Sequence, residues 1–160
     1  MYEVSEKRRI VVAEDDLAIQ QVLCFFLRHN GFEVRGASNG QEAIRIIREF
    51  NPHLVVLDLV MRPVSGWDVL QWLRVNRLTP PIAVLVLSAL VQMREQVLGF
   101  EEGAVEYITK PAQPSVVVER VRTILSLNME QRLMLQHNRL DERRRVMERM
   151  QDIQPDDFSY

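Results

Sequence analysis

The chain has 160 residues, 47% of them hydrophobic and 26% charged, with a formal net charge of −2. That size suits one domain, or one domain with an appendage, and holds enough apolar material for a core. The lone Cys24 excludes an intramolecular disulfide, no apolar run nears the roughly 20 residues of a membrane span, and the charge gives no global case for nucleic acid or an anionic membrane.

Met1 to Arg9 is polar and carries no apolar signal core, so a cytoplasmic protein is expected. Ile10-Val11-Val12-Ala13 reads as a strand that ends at the acidic cluster Glu14-Asp15-Asp16. From Leu17 to His29 the apolar residues fall at helical period, and Asn30-Gly31 stops the helix. Phe32–Arg35 is a short strand. Ser38 with Gln41 three positions later predicts a capping box for a helix running to Phe50. Asn51-Pro52 breaks that helix, and Leu54-Val55-Val56-Leu57 is a third strand ending at Asp58. A helix from Gly66 to Val75 follows, then a fourth strand over Ile82–Leu87, a helix over Val91–Glu101, a turn at Gly103 and a fifth strand over Val105–Ile108. Pro114 suits the first position of the next helix. Strands apolar on both faces and alternating with helices indicate a parallel sheet covered on two sides. The fold class is therefore α/β: a doubly wound, five-stranded, flavodoxin-like sheet whose ligands sit beyond the carboxyl ends of the strands. The residues at those ends are Glu14, Asp15, Asp58, Ser88 and Lys110.

Three crowded carboxylates, Glu14, Asp15 and Asp58, repel one another, and a hard divalent ion with oxygen ligands and retained waters relieves that repulsion. Mg²⁺ suits such a site. One carboxylate can then act as a nucleophile towards phosphorus and form an acyl phosphate. The transferred group needs donors and cations around it. Lys110 offers an ammonium, Ser88 a hydroxyl and Ala89 a backbone N–H.

On these residues the segment from Arg9 to Leu127 resembles the receiver domains of two-component response regulators. The resemblance rests on Val-Val-Ala-Glu14-Asp15-Asp16, on Leu57-Asp58-Leu59-Val60-Met61 with Gly66, on Leu87-Ser88-Ala89, and on Gly103 to Pro111 with Tyr107 and Lys110. Ser88 precedes Tyr107 by 19 positions and Lys110 by 22, the family's spacing. The resemblance implies the strand order 2-1-3-4-5. It also implies Asp58 as phosphoacceptor, and Asp15, Asp58, Glu14 and the main-chain carbonyl of Val60 around Mg²⁺. Ser88 and Lys110 would contact the phosphoryl group, and Tyr107 would swing inward as a switch. Lys110–Pro111 would be cis. The donor would be a histidine kinase or a histidine phosphotransfer protein. The resemblance further implies that the domain would catalyse only its own phosphoryl transfer and dephosphorylation and otherwise be no enzyme.

The chain departs from the family pattern at Arg62, where proline is usual, and at Ala112, where a bulky aromatic is common. Val60 and Leu90, each two residues after a site residue, are apolar and cannot hold an attacking water, so slow hydrolysis of the phosphoaspartate is expected. Cys24 reads as a small hydrophobe on the first helix, and Trp67 and Trp72 as packing on or near the third. His29, His53 and His137 show no ligand spacing.

No glycine follows Gly103, and no proline lies between Pro114 and Pro155. A receiver over 1–127 and a helical tail over 128–160 are expected, with no turn chemistry inside the stretch. As one helix it would run roughly 60 Å. From about Ser126 it must project, fold back or pair with another chain. Met129, Leu133, Leu140, Met147 and Met150 form a seam that Gln136 and Arg143 interrupt, which suits a modest coiled coil or a docked helix. Arg143-Arg144-Arg145 could be a basic patch, but i,i+4 pairs such as Asp141–Arg145 and Arg144–Glu148 favour a solvated face over direct nucleic-acid binding. A homodimer through the fourth helix, fifth strand and fifth helix together with the tail is expected. Val116, Arg120, Thr123 and Leu127 would stripe that face, and an effector domain or downstream protein would take the signal. The competing reading is a phosphorylation-independent adaptor or dimerisation module. A magnesium-dependent phosphohydrolase is disfavoured, because Val60 stands where a second carboxylate is needed. Pro155–Tyr160 is where a following segment could begin.

Overall fold

Every residue of Leu54–Leu57 and of Ala83–Ser88 is buried, as strands covered on both faces require. The computed structural model describes residues 6–152; the sequence readings on Met1–Ser5 and Pro155–Tyr160 lie outside them. Its elements are β1 (Arg9–Ala13), α1 (Leu17–His29), β2 (Glu33–Ala37), α2 (Gly40–Phe50), β3 (Leu54–Leu57), α3 (Gly66–Val75), β4 (Ala83–Ser88), α4 (Met93–Glu101), β5 (Glu106–Thr109), α5 (Pro114–Ser126) and α6 (Met129–Gln151). All strand pairs are parallel and the order is β2-β1-β3-β4-β5. This is the doubly wound, flavodoxin-like sheet. The order reverses at β1 and β3, so their carboxyl ends open on the crevice where such folds bind ligands.

Two apolar layers clamp the sheet. One gathers Ile46, Ile47, Phe50, Leu70, Leu73 and Phe100 from α2, α3 and α4. The other gathers Leu23, Cys24, Leu27, Val117, Val121 and Ile124 from α1 and α5. Cys24 is a buried small hydrophobe, and Trp67 and Trp72 pack from α3 against the first layer. Among the described residues no helix is long and apolar enough to cross a membrane.

The predicted box of Ser38 and Gln41 does not form. Asn39 caps α2 instead, its side chain accepting from the Glu42 N–H at 2.8 Å. The Gly40 N–H turns to the Val64 carbonyl at 2.9 Å, so the helix begins one residue later than the spacing indicated. Reciprocal caps appear elsewhere, at Ser65 with Asp68 on α3 and at Asn128 with Gln131 on α6.

That second box corrects the reading of the C-terminal stretch as free of turn chemistry. Leu127 leaves the helical region (φ −87°, ψ 146°), and α6 starts afresh at the Asn128 cap and turns back over α4. The residues that appeared to interrupt the seam hold α6 in place. Gln136 Nε2 donates to the Phe100 carbonyl at 2.8 Å, and Arg143 Nε donates to Gln96 Oε1 at 2.9 Å. Arg139 lies 3.0 Å from the Glu106 carboxylate and Arg144 3.0 Å from Glu101. Among the described residues neither Asp141–Arg145 nor Arg144–Glu148 forms an ion pair; Asp141 stands 3.4 Å from His137 instead. A solvated face was expected because helical spacing cannot reveal a tertiary partner for Arg143 and Arg144.

Candidate functional site

Each strand-end residue singled out from the sequence lies at the carboxyl edge of the sheet, and the hydrogen-bond register there brings Glu14, Asp58 and Lys110 together. Glu14 follows β1 and Asp58 follows β3, both nearly inaccessible to solvent at 2% and 3% exposure, while Asp15 is exposed. The Asp58 N–H donates to the Ala13 carbonyl at 3.0 Å, and the Glu14 N–H to the Ala37 carbonyl at 2.9 Å, which extends the ladder into the loops. Lys110, after β5, sends its ammonium across the crevice. Its Nζ lies 2.8 Å and 3.0 Å from the two oxygens of Glu14 and 3.2 Å from Asp58 Oδ2. The other Asp58 oxygen accepts from the Val60 N–H at 3.0 Å.

Burial pushes the Glu14 carboxyl up to about 7; the hydrogen bonds from Lys110 pull against that rise and the Asp58 charge adds to it. Burial works against the Lys110 ammonium, yet the bond to Glu14 and the charges of Asp58 and Glu14 hold it above its ordinary value. Lys110 therefore stays charged at neutral pH, and the cluster carries more negative than positive charge once its carboxyls ionise.

Carboxylate oxygens of Glu14, Asp15 and Asp58 come within 4.8 Å of one another. Hard oxygen donors, two of them buried and one open to solvent where an ion can keep waters, fit Mg²⁺.

Ser88 ends β4 and is fully buried, its Oγ accepting from the Leu90 N–H at 3.2 Å, and Ala89 beside it is exposed. Tyr107 is turned inward: it is 4% exposed, and its hydroxyl donates to the Leu90 carbonyl at 2.7 Å. Burial pushes its phenol up to about 12; a Ser88 hydrogen bond opposes this, and the charges of Glu95 and Asp58 reinforce it. Lys110–Pro111 is cis. Arg62 is exposed, as is Val60, and Val116 stands partly exposed on α5.

Sequence reading missed several supports. Gln20 donates through Nε2 to the Glu14 carbonyl at 2.8 Å and the Ala37 carbonyl at 2.9 Å, tying the two loops at the site; a glutamine inside a helical pattern gives no hint of this. At Gly66 a Cβ would collide with the Asp58 carbonyl oxygen and the Leu59 Cα, so only glycine admits α3 this close to the loop after β3. A Cβ at Gly99 would lie 3.0 Å from the Tyr107 ring, so that glycine makes room for the inward tyrosine. Glu106, 2% exposed on β5, is paired by Arg120 of α5 at 2.9 Å as well as by Arg139. A charged residue inside a strand was the available signal for it. Asp16, grouped with the acidic cluster, caps α1 by accepting from the Ala18 and Ile19 N–H groups.

Comparison with known proteins agrees with this architecture. Residues 10–122 match the family model described as response regulator receiver domain. The chain is 37% identical over 122 residues to the DNA-binding response regulator MtrA of Mycobacterium tuberculosis (strain ATCC 25618 / H37Rv), an alignment covering 76% of this chain and 52% of that protein. It is 37% identical over 121 residues to the probable transcriptional regulator ycf27 of Porphyra purpurea, covering 76% of this chain and 49% of the relative. The chain thus spans about half the length of these curated relatives. Among solved structures, a putative response regulator from Chloroflexus aurantiacus J-10-fl superposes with a TM-score of 0.70 at 30% identity, over 76% of this chain and 100% of that one. The receiver domain of the Francisella response regulator 1452 gives 0.69 at 29%, over 73% and 95%. A family match over most of the chain, on a sheet whose edge gathers Glu14, Asp58 and Lys110, shows that the chain belongs to the response-regulator receiver domain family.

Proposed function

We propose that Asp58 accepts a phosphoryl group from a phosphohistidine on a histidine kinase or histidine phosphotransfer protein, and that the domain then signals through its α4–β5–α5 face. The observation that carries this reading is the position of the Lys110 ammonium, within 3.2 Å of Asp58 and 2.8 Å of Glu14. In the transfer an Asp58 oxygen attacks phosphorus and the P–N bond breaks; the electron pair leaves with the imidazole, and an acyl phosphate remains. Lys110 would neutralise the phosphoryl charge, with the Ser88 hydroxyl and the Ala89 N–H as further donors. Asp15, Asp58, Glu14 and the Val60 carbonyl would hold Mg²⁺, which supplies charge neutralisation at the phosphoryl oxygens. Beside Lys110, Ile19, Val22, Leu87, Pro111 and Ala112 line an apolar hollow, and Leu17, Val22 and Phe25 stand exposed along α1. A donor protein has an apolar surface there on which to rest.

Tyr107 is the proposed switch, because its hydroxyl holds the Leu90 carbonyl in the loop after Ser88 and so links that loop to β5. A homodimer through α4–β5–α5 with the C-terminal helix, and an effector domain or downstream protein, are the proposed partners. In one chain α6 already rests on α4 and β5, so a second copy must share or take that seat. The receiver spans 1–127 and the helical tail begins at 128; no direct nucleic-acid contact is proposed for these residues.

Incubating the chain with acetyl phosphate and Mg²⁺ and measuring intact mass tests the reading. The expected result is a gain of one phosphoryl group that Asp58→Asn abolishes. No gain in the native chain would favour the second reading, a docking module blind to phosphate.

A further inference from the structure

α6 is held to the rest of the fold by a row of polar contacts, with Leu135 and Leu140 packed against the core beside them. None of its residues is buried. Its inward stripe runs Arg132, Gln136, Arg139, Arg143, in steps of four, three and four, and three of the four reach fixed partners: the Phe100 carbonyl, the Glu106 carboxylate and the Gln96 amide. Arg144 adds Glu101, and the Arg143 guanidinium lies 5.7 Å from the Phe100 ring centroid. A basic helix is thus matched to an acidic, carbonyl-bearing seat on α4 and β5. β5 is an edge strand of the sheet, and an edge left bare invites pairing.

The connection to this helix is slight. Between α5 and α6 lie only Leu127 and Asn128, which carries the capping box with Gln131. There is no glycine or proline to enforce the break. If Leu127 and Asn128 turned helical, Pro114–Gln151 would form one rod of roughly 57 Å, carrying α6 off its own seat. The seat would then expose the Phe100 carbonyl and leave the Glu106 carboxylate with Arg120 and the Tyr107 N–H but without Arg139. Any partner for it must bring an amide and three guanidinium groups in helical register, and the α6 of a second copy brings them in the same sequence. Short hinges of this kind favour exchange of an element between identical chains.

We propose that α6 and its seat are an exchangeable pair: at high concentration two copies of this chain join by each placing its α6 on the α4–β5 seat of the other. This rests on the reading that the α4–β5–α5 face joins two copies, but not on Asp58 accepting a phosphoryl group. Exchange is a two-fold, self-complementary arrangement that, outside the hinge at Leu127 and Asn128, reuses the contacts of the single chain. Tethering favours the closed form when the protein is dilute, and rising concentration favours the exchanged one.

The test uses the full chain carrying Cys24→Ala, with Glu101→Cys and Arg144→Cys replacing the 3.0 Å ion pair, treated with a short bis-maleimide. A denaturing gel separates linkage within a chain from linkage between chains, and sedimentation of the untreated protein gives its assembly state. The expected result is linked monomer when dilute and linked dimer rising with concentration. Asn128→Ala, which removes the cap that starts α6 as a separate helix, should raise the dimer association constant roughly fivefold for each of its two hinges. Linkage only within chains, in a protein that sediments as a dimer, overturns exchange and leaves the dimer face standing. A chain that sediments as a monomer throughout overturns both. Absence of any linkage shows α6 unseated and also overturns the proposal.

Discussion

Lys110 stands closer to Glu14 than to Asp58: its ammonium lies 2.8 Å and 3.0 Å from the two oxygens of Glu14, and 3.2 Å from the nearer oxygen of Asp58. The lysine therefore serves two buried carboxylates at once, and removing it leaves both facing each other. Breaking a buried pair from one side costs about 3–5 kcal/mol when the orphaned charge stays, and proton uptake relieves part of that. Lys110→Met is expected to lower stability by about 2 kcal/mol at pH 8 and by less at pH 6. Millimolar Mg²⁺ should restore part of the loss. Urea unfolding at both pH values, with and without Mg²⁺, checks this. A loss that is equal at both pH values and indifferent to Mg²⁺ would contradict the electrostatic account of the cluster.

Burial pushes the Glu14 carboxyl up to about 7, against the pull of Lys110, so a proton competes for it below that pH. An ion bound there must displace that proton, so binding releases it. Below pH 7 the Mg²⁺ association constant is expected to fall, approaching tenfold per pH unit, and above pH 8 it should flatten. Glu14→Gln removes the proton competition, so its affinity should be weaker yet flat from pH 6 to 8. Calorimetric Mg²⁺ titrations in buffers of different ionisation enthalpy read both the affinity and the protons released.

The sheet and the gathering of Glu14, Asp58 and Lys110 at its edge were largely legible because their signals are local. Leu54–Leu57 and Ile82–Leu87 are runs of a length that only buried strands explain, and Glu14, Asp58 and Ser88 each follow such an apolar run directly. The proposed role of Tyr107 and the cis Lys110–Pro111 bond were reached through family resemblance rather than through spacing. What stayed hidden depends on partners distant in sequence. Gln136 and Arg143 looked like flaws in an apolar seam because their acceptors, the Phe100 carbonyl and Gln96, lie 36 and 47 positions away. The break at Leu127 was invisible for a related reason: the residue is an ordinary helix former, and only the neighbouring Asn128 cap and the seat on α4 divert the chain.

Tyr107 ties the loop after Ser88 to β5 through a 2.7 Å bond to the Leu90 carbonyl. Its phenol is raised to about 12, by burial first, against about 10 in an unfolded chain. The stabilisation linked to the protonated phenol is whole below pH 10 and drains away as pH rises towards 12. Tyr107→Phe is expected to cost about 1 kcal/mol at pH 8 through the lost hydrogen bond. By pH 11 the native chain should have lost a further 1.4 kcal/mol or so that the phenylalanine variant keeps, so the difference closes or changes sign. Denaturant midpoints of the two proteins compared at each pH isolate this group, since every other titrating residue is shared.

Val60 and Leu90, two residues beyond Asp58 and Ser88, have no polar atom in either side chain; Val60 is 48% exposed, and Leu90 gives its backbone N–H to Ser88 and its carbonyl to Tyr107. Hydrolysis of an acyl phosphate needs a water held in line with the bond to be broken, and neither side chain can orient one. A positioned polar group contributes ~100-fold or more to a step that moves a proton. Even a tenth of that effect would shorten the life of the phosphoaspartate about tenfold. Val60→Asn with Leu90→Glu is therefore expected to hydrolyse about tenfold faster than the native chain. Its Mg²⁺ affinity should be preserved, because only the main-chain carbonyl at position 60 is assigned to the ion. The decay of the phosphorylated mass after removal of acetyl phosphate measures the rate. Equal half-lives would mean that water reaches the phosphoryl group by a route these two side chains do not control.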